Sequence, residues 1–170
     1  MYYLKTIKKM KKMLTGILIG IISGAALTVL ILYFSLPNMM FKEDKSNYDF
    51  ETTIAEIEKS VEAANWKIPH VNDLQATMQK FGKDVRQVKV YEICQPEHAY
   101  KILSRSDERI VSSLMPCRVA IYEKEDGSVY VSRMNAALLS KPMNKLVRTT
   151  MGDAGAETEQ ILEPIITPAN

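Results

Sequence analysis

Between Leu14 and Leu36 the chain reads LTGILIGIISGAALTVLILYFSL, 23 residues in which Tyr33 is the single ionisable side chain. At 1.5 Å per residue this run makes about 34 Å of helix, enough to cross a hydrocarbon core of about 30 Å with some tilt. Tyr33 and Phe34 suit the membrane interface, and Pro37 suits a helix stop just beyond it. The competing assignment is a cleaved signal peptide, whose apolar region is about 7–15 residues long and ends at a small-residue site. This run is longer, and no A-x-A precedes a polar start. Residues 14–36 are therefore expected to be an uncleaved transmembrane helix in contact with the lipid bilayer.

Lys5, Lys8, Lys9, Lys11 and Lys12 precede the run, and the mixed segment FKEDK follows it. That asymmetry predicts a cytoplasmic segment over 1–13 and an outward-facing domain. In a bacterial-type plasma membrane the domain would be periplasmic or on the outer face. Gly16, Gly20 and Gly24 recur every four residues and line one side of the helix. Such a stripe allows a second helix to approach closely, which predicts a homodimer seam; the alternative is that glycine is simply common in membrane helices.

The five N-terminal lysines also account for the chain's basic balance. Of 22 Lys and Arg, 17 lie after position 41, together with all 20 Asp and Glu, so that region carries a formal charge of −3. It has no basic excess to neutralise phosphates, and nucleic acid is excluded as an expected partner. Its length suits one domain with its own core.

Residues 37–47, PNMMFKEDKSN, read as a short polar linker that keeps the domain near the bilayer. Tyr48 and Phe50 alternate with polar neighbours as in a strand, and Thr52 or Thr53 suits a cap for a helix carrying Ile54, Ile57, Val61 and Ala64 on one face. Asn65 suits a left-handed exit. Lys67 to Val71 reads as extended. Asp73 suits the cap of a helix with Leu74, Met78 and Phe81 on one stripe and Gly82 at its end. Val85 to Cys94 alternates as a strand, and Pro96 suits the first turn of a helix burying Ala99, Ile102 and Leu103. Asp107 to Leu114 reads as a short helix or turn. Two alternating runs flanking Glu125-Asp126-Gly127-Ser128 predict a β-hairpin. Lys145 to Leu162 is a helix with Leu146, Val147, Met151, Ala154, Thr158 and Ile161 on a broad face, ended by Pro164 and Pro168. These elements predict an α+β domain over 48–163: a two-layer sandwich with a mixed or antiparallel sheet covered by helices, and a tail over 164–170.

Chemistry is sparse. Cys94 and Cys117 each adjoin a proline at a structural joint, and three fates compete: a disulfide, two buried free thiols, or a reactive pair helped by Glu92, His70 or His98. On the strand period Cys94 shares a face with Glu92, whereas Cys117 shares one with Val119 and Ile121 and has Arg118 on the opposite side. Glu92 needs a partner, for which Arg133 is a candidate. The cysteines with His70, His98 and Met115 match no zinc or haem spacing, so no metal site is expected. No G-x-G-x-x-G, P-loop, H-E-x-x-H or G-x-S-x-G occurs, and no motif requires a cofactor.

Three segments together carry a resemblance: TTIAEIEKSVEAANWKIPHVNDLQATMQKFGKDV, VKVYEICQPEHAYKIL and LMPCRVAIYEKEDGSVYVSRMN. With Glu92-Ile93-Cys94-x-Pro96, Met115-Pro116-Cys117-Arg118 and Met134-Asn135, residues 48–163 resemble the domain-of-unknown-function family numbered 302. The resemblance implies a compact two-layer α/β domain, able to dimerise, with no established reaction. Members standing near sulfur-metabolism or redox proteins raise the thiol alternative by association. It places Pro96 and Pro116 as shapers of backbone, and Cys94, Cys117 and Glu92 as the groups able to do chemistry. His70, Arg118, Arg133, Met134 and Asn135 are the expected ligand contacts. The expected function is a membrane-anchored binding or interaction module rather than an enzyme, with thiol, sulfur-carrier or metal/haem chemistry at Cys94 and Cys117 as the competing class.

Overall fold

A computed structural model describes residues 2–167, with side chains from Met10 onward except at 11, 37 and 38. The chain divides into two compact units at about residue 40. The first is helix α1, Tyr2–Met40. Within it Lys12–Leu36 is long and apolar enough to cross a membrane, with mean hydropathy 2.5. The helix does not stop at residue 37 as expected. Proline removes one backbone bond but keeps a helical φ, and the helix continues to Met40.

The second unit begins where a linker was expected. Phe41–Ser46 is strand β1, which pairs antiparallel with β5, Val129–Met134, in the register Phe41↔Met134 to Lys45↔Tyr130. Its alternation is hidden because its inward positions are polar and find their partners in other elements of the fold. Asp44 meets Arg133, and Ser46 Oγ lies 2.6 Å from Thr53 Oγ1. The expected tail is also part of the fold: Ile165 and Ile166 are buried, and Ile166–Thr167 forms β6 on the other edge of β1. Pro168 lies outside the described residues.

With β2 Lys67–Asp73, β3 Val88–Cys94 and β4 Cys117–Glu123, the strands form one sheet in the order β2-β3-β4-β5-β1-β6. Every pairing is antiparallel, so of the two sheet types expected the antiparallel one is present. Gly127, at φ 77, turns the β4–β5 hairpin, and Asp126 accepts from the Ser128 amide at 2.9 Å.

Tyr91, Ile93, Val119, Ile121, Val129 and Val131 point to one sheet face and pack under α2, Phe50–Ala63, and α6, Lys145–Leu162. Burying side chains of this size contributes about 1.5–3 kcal/mol each, so this seam is what holds the two layers together. Helix α2 is capped by Asp49, which accepts from the Thr52 amide at 2.8 Å, and neither threonine is the cap. Phe50 therefore opens the helix instead of closing a strand. Asn65 leaves α2 at φ 58.

Helix α3, Leu74–Lys80, is capped by Asp73, but its stripe is not core: Phe81 is 72% exposed. Helix α4, Pro96–Leu103, has Pro96 in its first turn and buries Ile102, while Leu103 remains 40% exposed. A 3-10 segment, Ser106–Leu114, follows, and a short α5, Ala136–Leu139, lies against α6. Ile102, Val111, Val147 and Met151 make a second, smaller apolar cluster among these elements.

Candidate functional site

Between the two clusters lies a cavity of about 290 Å³. Its floor is the end of the sheet, where Ile93 and Cys94 leave β3, Cys117 enters β4, and Arg133 and Met134 close β5. Its walls are α4, with His98, Ala99 and Ile102, and α6, with Met151, Ala154 and Thr158. Antiparallel pairing explains why distant segments meet here: Ile93 is paired with Cys117, and Val119 with Arg133.

His98 is the most distinctive polar group of the lining. Its Nε2 donates to Glu157 Oε1 at 2.8 Å, and the Trp66 indole donates to Glu157 Oε2 at 3.0 Å. Burial would raise the Glu157 carboxyl, but the bonds from His98 and Trp66 hold it below the usual glutamate value of 4.5. The ring of Trp66 stands edge-on to His98 with centroids 6.4 Å apart. Both ring orientation and tautomer of His98 are thus set by one carboxylate. Its Nδ1 is buried and has no hydrogen-bond partner among the described residues.

Across the cavity Arg133, only 6% exposed, donates to Asp44 from Nη1 and to both oxygens of Glu159 from Nε and Nη2. Lys42 reaches Glu159 Oε1 at 3.2 Å. Burial would raise the Glu159 carboxyl, but these cations keep it below its usual value. Arg133 is therefore not the partner of Glu92. The two lie on opposite faces of the sheet, and Glu92 pairs with Arg118, its cross-strand neighbour, at 3.5 Å.

The expected site residues divide accordingly. Cys94, Met115, Pro116, Cys117, Arg118, Arg133, Met134 and Asn135 all border the cavity. Glu92 and His70 do not: they are register partners on the far sheet face, where His70 Nε2 lies 3.1 Å from Asn72 Oδ1. The Met115-Pro116 peptide is cis. Trp66, Glu157 and Glu159 were missed as site residues. The available signal was helical spacing, since His98 lies four residues before buried Ile102, and Glu157 lies between Ala154 and Ile161 on the buried side of α6.

Both cysteines are free thiols. Burial pushes the Cys94 thiol up. It does the same to Cys117, where a bond with Thr158 opposes the rise and Cys94 adds to it. Such thiols are weak nucleophiles near neutral pH. Iodoacetamide is expected to modify Cys94 slowly and Cys117 more slowly still, with both labelled at once after denaturation. Mass spectrometry of the native and unfolded protein checks this, and rapid native labelling of Cys117 would reveal a thiolate. Among the described residues no group of three or more His, Cys, Asp or Glu side chains is placed to hold a metal ion.

Residues 42–167 match the family described as domain of unknown function DUF302. The chain belongs to the DUF302 family. The DUF302 match takes in β1 and β6, which the resemblance read from sequence, 48–163, left out. The domain is 29% identical over 115 residues to an uncharacterized protein of Aquifex aeolicus (strain VF5), covering 68% of this chain and 73% of that one. It also resembles the crystal structure of an uncharacterized conserved DUF302 protein from Bacillus stearothermophilus, with a TM-score of 0.66 and 17% identity over 74% of this chain and 97% of that chain. At that identity the likeness shows a shared fold.

Proposed function

We propose that this DUF302 domain is a small-molecule-binding module, held at the outer side of a plasma membrane by α1. The observation that carries the binding role is the cavity: about 290 Å³, lined mostly by apolar side chains, with His98, Thr158 and Arg133 among the few polar residues on its wall. Ligand sites have this make-up, a mainly apolar enclosure with a few placed polar groups. The lysine flank and the apolar run support the membrane placement. Gly16, Gly20 and Gly24 leave open space beside the helix, where a second copy could pack.

The probe for the binding role is N-phenyl-1-naphthylamine, an uncharged apolar fluorophore that accepts energy from tryptophan. The chain has one tryptophan, and Trp66 borders the cavity. Full-length protein in micelles is expected to show saturable transfer from Trp66 to the probe. Ala99→Phe, which puts a ring into the space, is expected to weaken binding at least about tenfold, the order of the apolar area it displaces. Transfer that never saturates, or is the same in the variant, would contradict a ligand-binding cavity.

A further inference from the structure

Resting on the reading of the cavity as a ligand site, we propose that its occupant is an uncharged lipophile, a molecule of the class that dissolves in a bilayer rather than in water. The ion pairs of the lining decide the charge. Lys42, Arg118 and Arg133 all border the cavity, and each already meets a carboxylate. Arg133 is held by Asp44 and Glu159, Lys42 reaches Glu159 at 3.2 Å, and Arg118 lies 3.5 Å from Glu92. These three cations and three carboxylates have no formal charge left over. A charged ligand would lose its water on entry and find a counter-charge only by opening one of these pairs.

Neutral polar groups of the lining are engaged within the fold as well. Thr158 Oγ1 donates to the Ala154 carbonyl at 2.8 Å, Asn135 Oδ1 accepts from the Leu138 amide at 3.2 Å, and Gln95 Oε1 accepts from the Glu97 amide. A water-soluble ligand rich in donors and acceptors would leave its own groups unmet here, at a cost for each. The rest of the wall offers Ile93, Ala99, Ile102, Leu114 and Met151, which reward apolar area. Chain connectivity favours the same class. Only five residues separate Leu36, where the apolar run ends, from Lys42 on the cavity lining. With the membrane placement proposed above, so short a tether keeps the domain where lipophiles are concentrated.

Displacement of N-phenyl-1-naphthylamine from the full-length protein in uncharged maltoside micelles tests this. The competitors share a two-ring size: methyl 1-naphthoate, 1-naphthoate, 1-naphthylmethylammonium and the polar but uncharged quinazoline-2,4-dione, each referred to its free aqueous concentration. The ester is expected to displace the probe at concentrations at least about tenfold lower than any of the other three, since each of those must bury a charge or unmet polar groups. A carboxylate or ammonium compound that comes closer to the ester than this would show that the ion pairs of the lining open to a charged ligand, and would overturn the proposal. A dione that does so would overturn it in favour of a water-soluble polar ring. In both of those cases the probe is bound and the cavity stands as a ligand site. Absence of saturable probe binding would instead remove the ligand-site reading and this one with it.

Discussion

Replacing Arg133 by methionine is expected to destabilise the domain by about 3–5 kcal/mol, the usual cost of removing one partner from a buried ion pair. The guanidinium is 6% exposed and serves two carboxylates from different elements, Asp44 of β1 and Glu159 of α6. Methionine fills much of the same space but leaves the Asp44 carboxylate, 8% exposed, without the cation it was folded against. The effect has a pH signature. Glu159 titrates below 4.5 in the folded chain, so the stabilisation it supplies is present above its unfolded value and is lost as pH falls through the lower, folded one. In the variant, protonation of Glu159 instead removes a charge that only Lys42 still pairs. Urea unfolding followed through Trp66 should therefore show a large gap between the two proteins near neutral pH and a smaller gap below about pH 4. A gap that is small at neutral pH, or grows on acidification, would mean that the network does not hold β1 to the sheet.

Truncating Trp66 to alanine is expected to cost about 3–5 kcal/mol, as for other buried tryptophans. The ring is 3% exposed and belongs to the main core. It also supplies one of the two donors to Glu157. Trp66→Phe keeps most of the apolar contact and loses that donor, so its destabilisation should be clearly smaller while His98 loses part of its support. Circular dichroism during thermal unfolding separates the cases. Similar losses in the two variants would assign the stabilisation to the indole hydrogen bond rather than to packing.

What could be read in the sequence follows from how local the determining interactions are. The β4–β5 hairpin, the limits of α6, the Asp73 cap, Pro96 in a first helical turn and the exit at Asn65 are set within a few residues, and each was legible. Strand β1 was not, because Lys42, Asp44 and Ser46 occupy its inward positions. Its alternation makes sense only with Arg133 and Thr53 in place, 89 and 7 residues away along the chain. The two-residue β6 is too short to carry a pattern at all.

The site was legible in part for the same reason. The joints at Cys94-Gln95-Pro96, Met115-Pro116-Cys117 and Met134-Asn135 stand out as breaks in alternation. Antiparallel pairing then gathers these strand ends on one edge of the cavity. Glu92 stood out too, yet its partner is the adjacent strand's Arg118 and its face is the other one. The dyad of His98 and Glu157 joins residues 59 apart, and the choice of carboxylate on α6 depends on how that helix lies against α4. Helical spacing puts Glu157 on the buried side of α6, but no local pattern says which residue it meets.

The role given to the cavity is tested most directly by labelling the methionine methyl groups of the full-length protein and recording their spectrum with and without N-phenyl-1-naphthylamine. Met115, Met134 and Met151 border the cavity, whereas Met78 lies on α3, away from it. Saturable shifts at the first three, with Met78 unchanged and the shifts lost in Ala99→Phe, are the expected result. Shifts confined to Met10 and Met13 of α1, or none that saturate, would show that the molecule enters the micelle and not the domain.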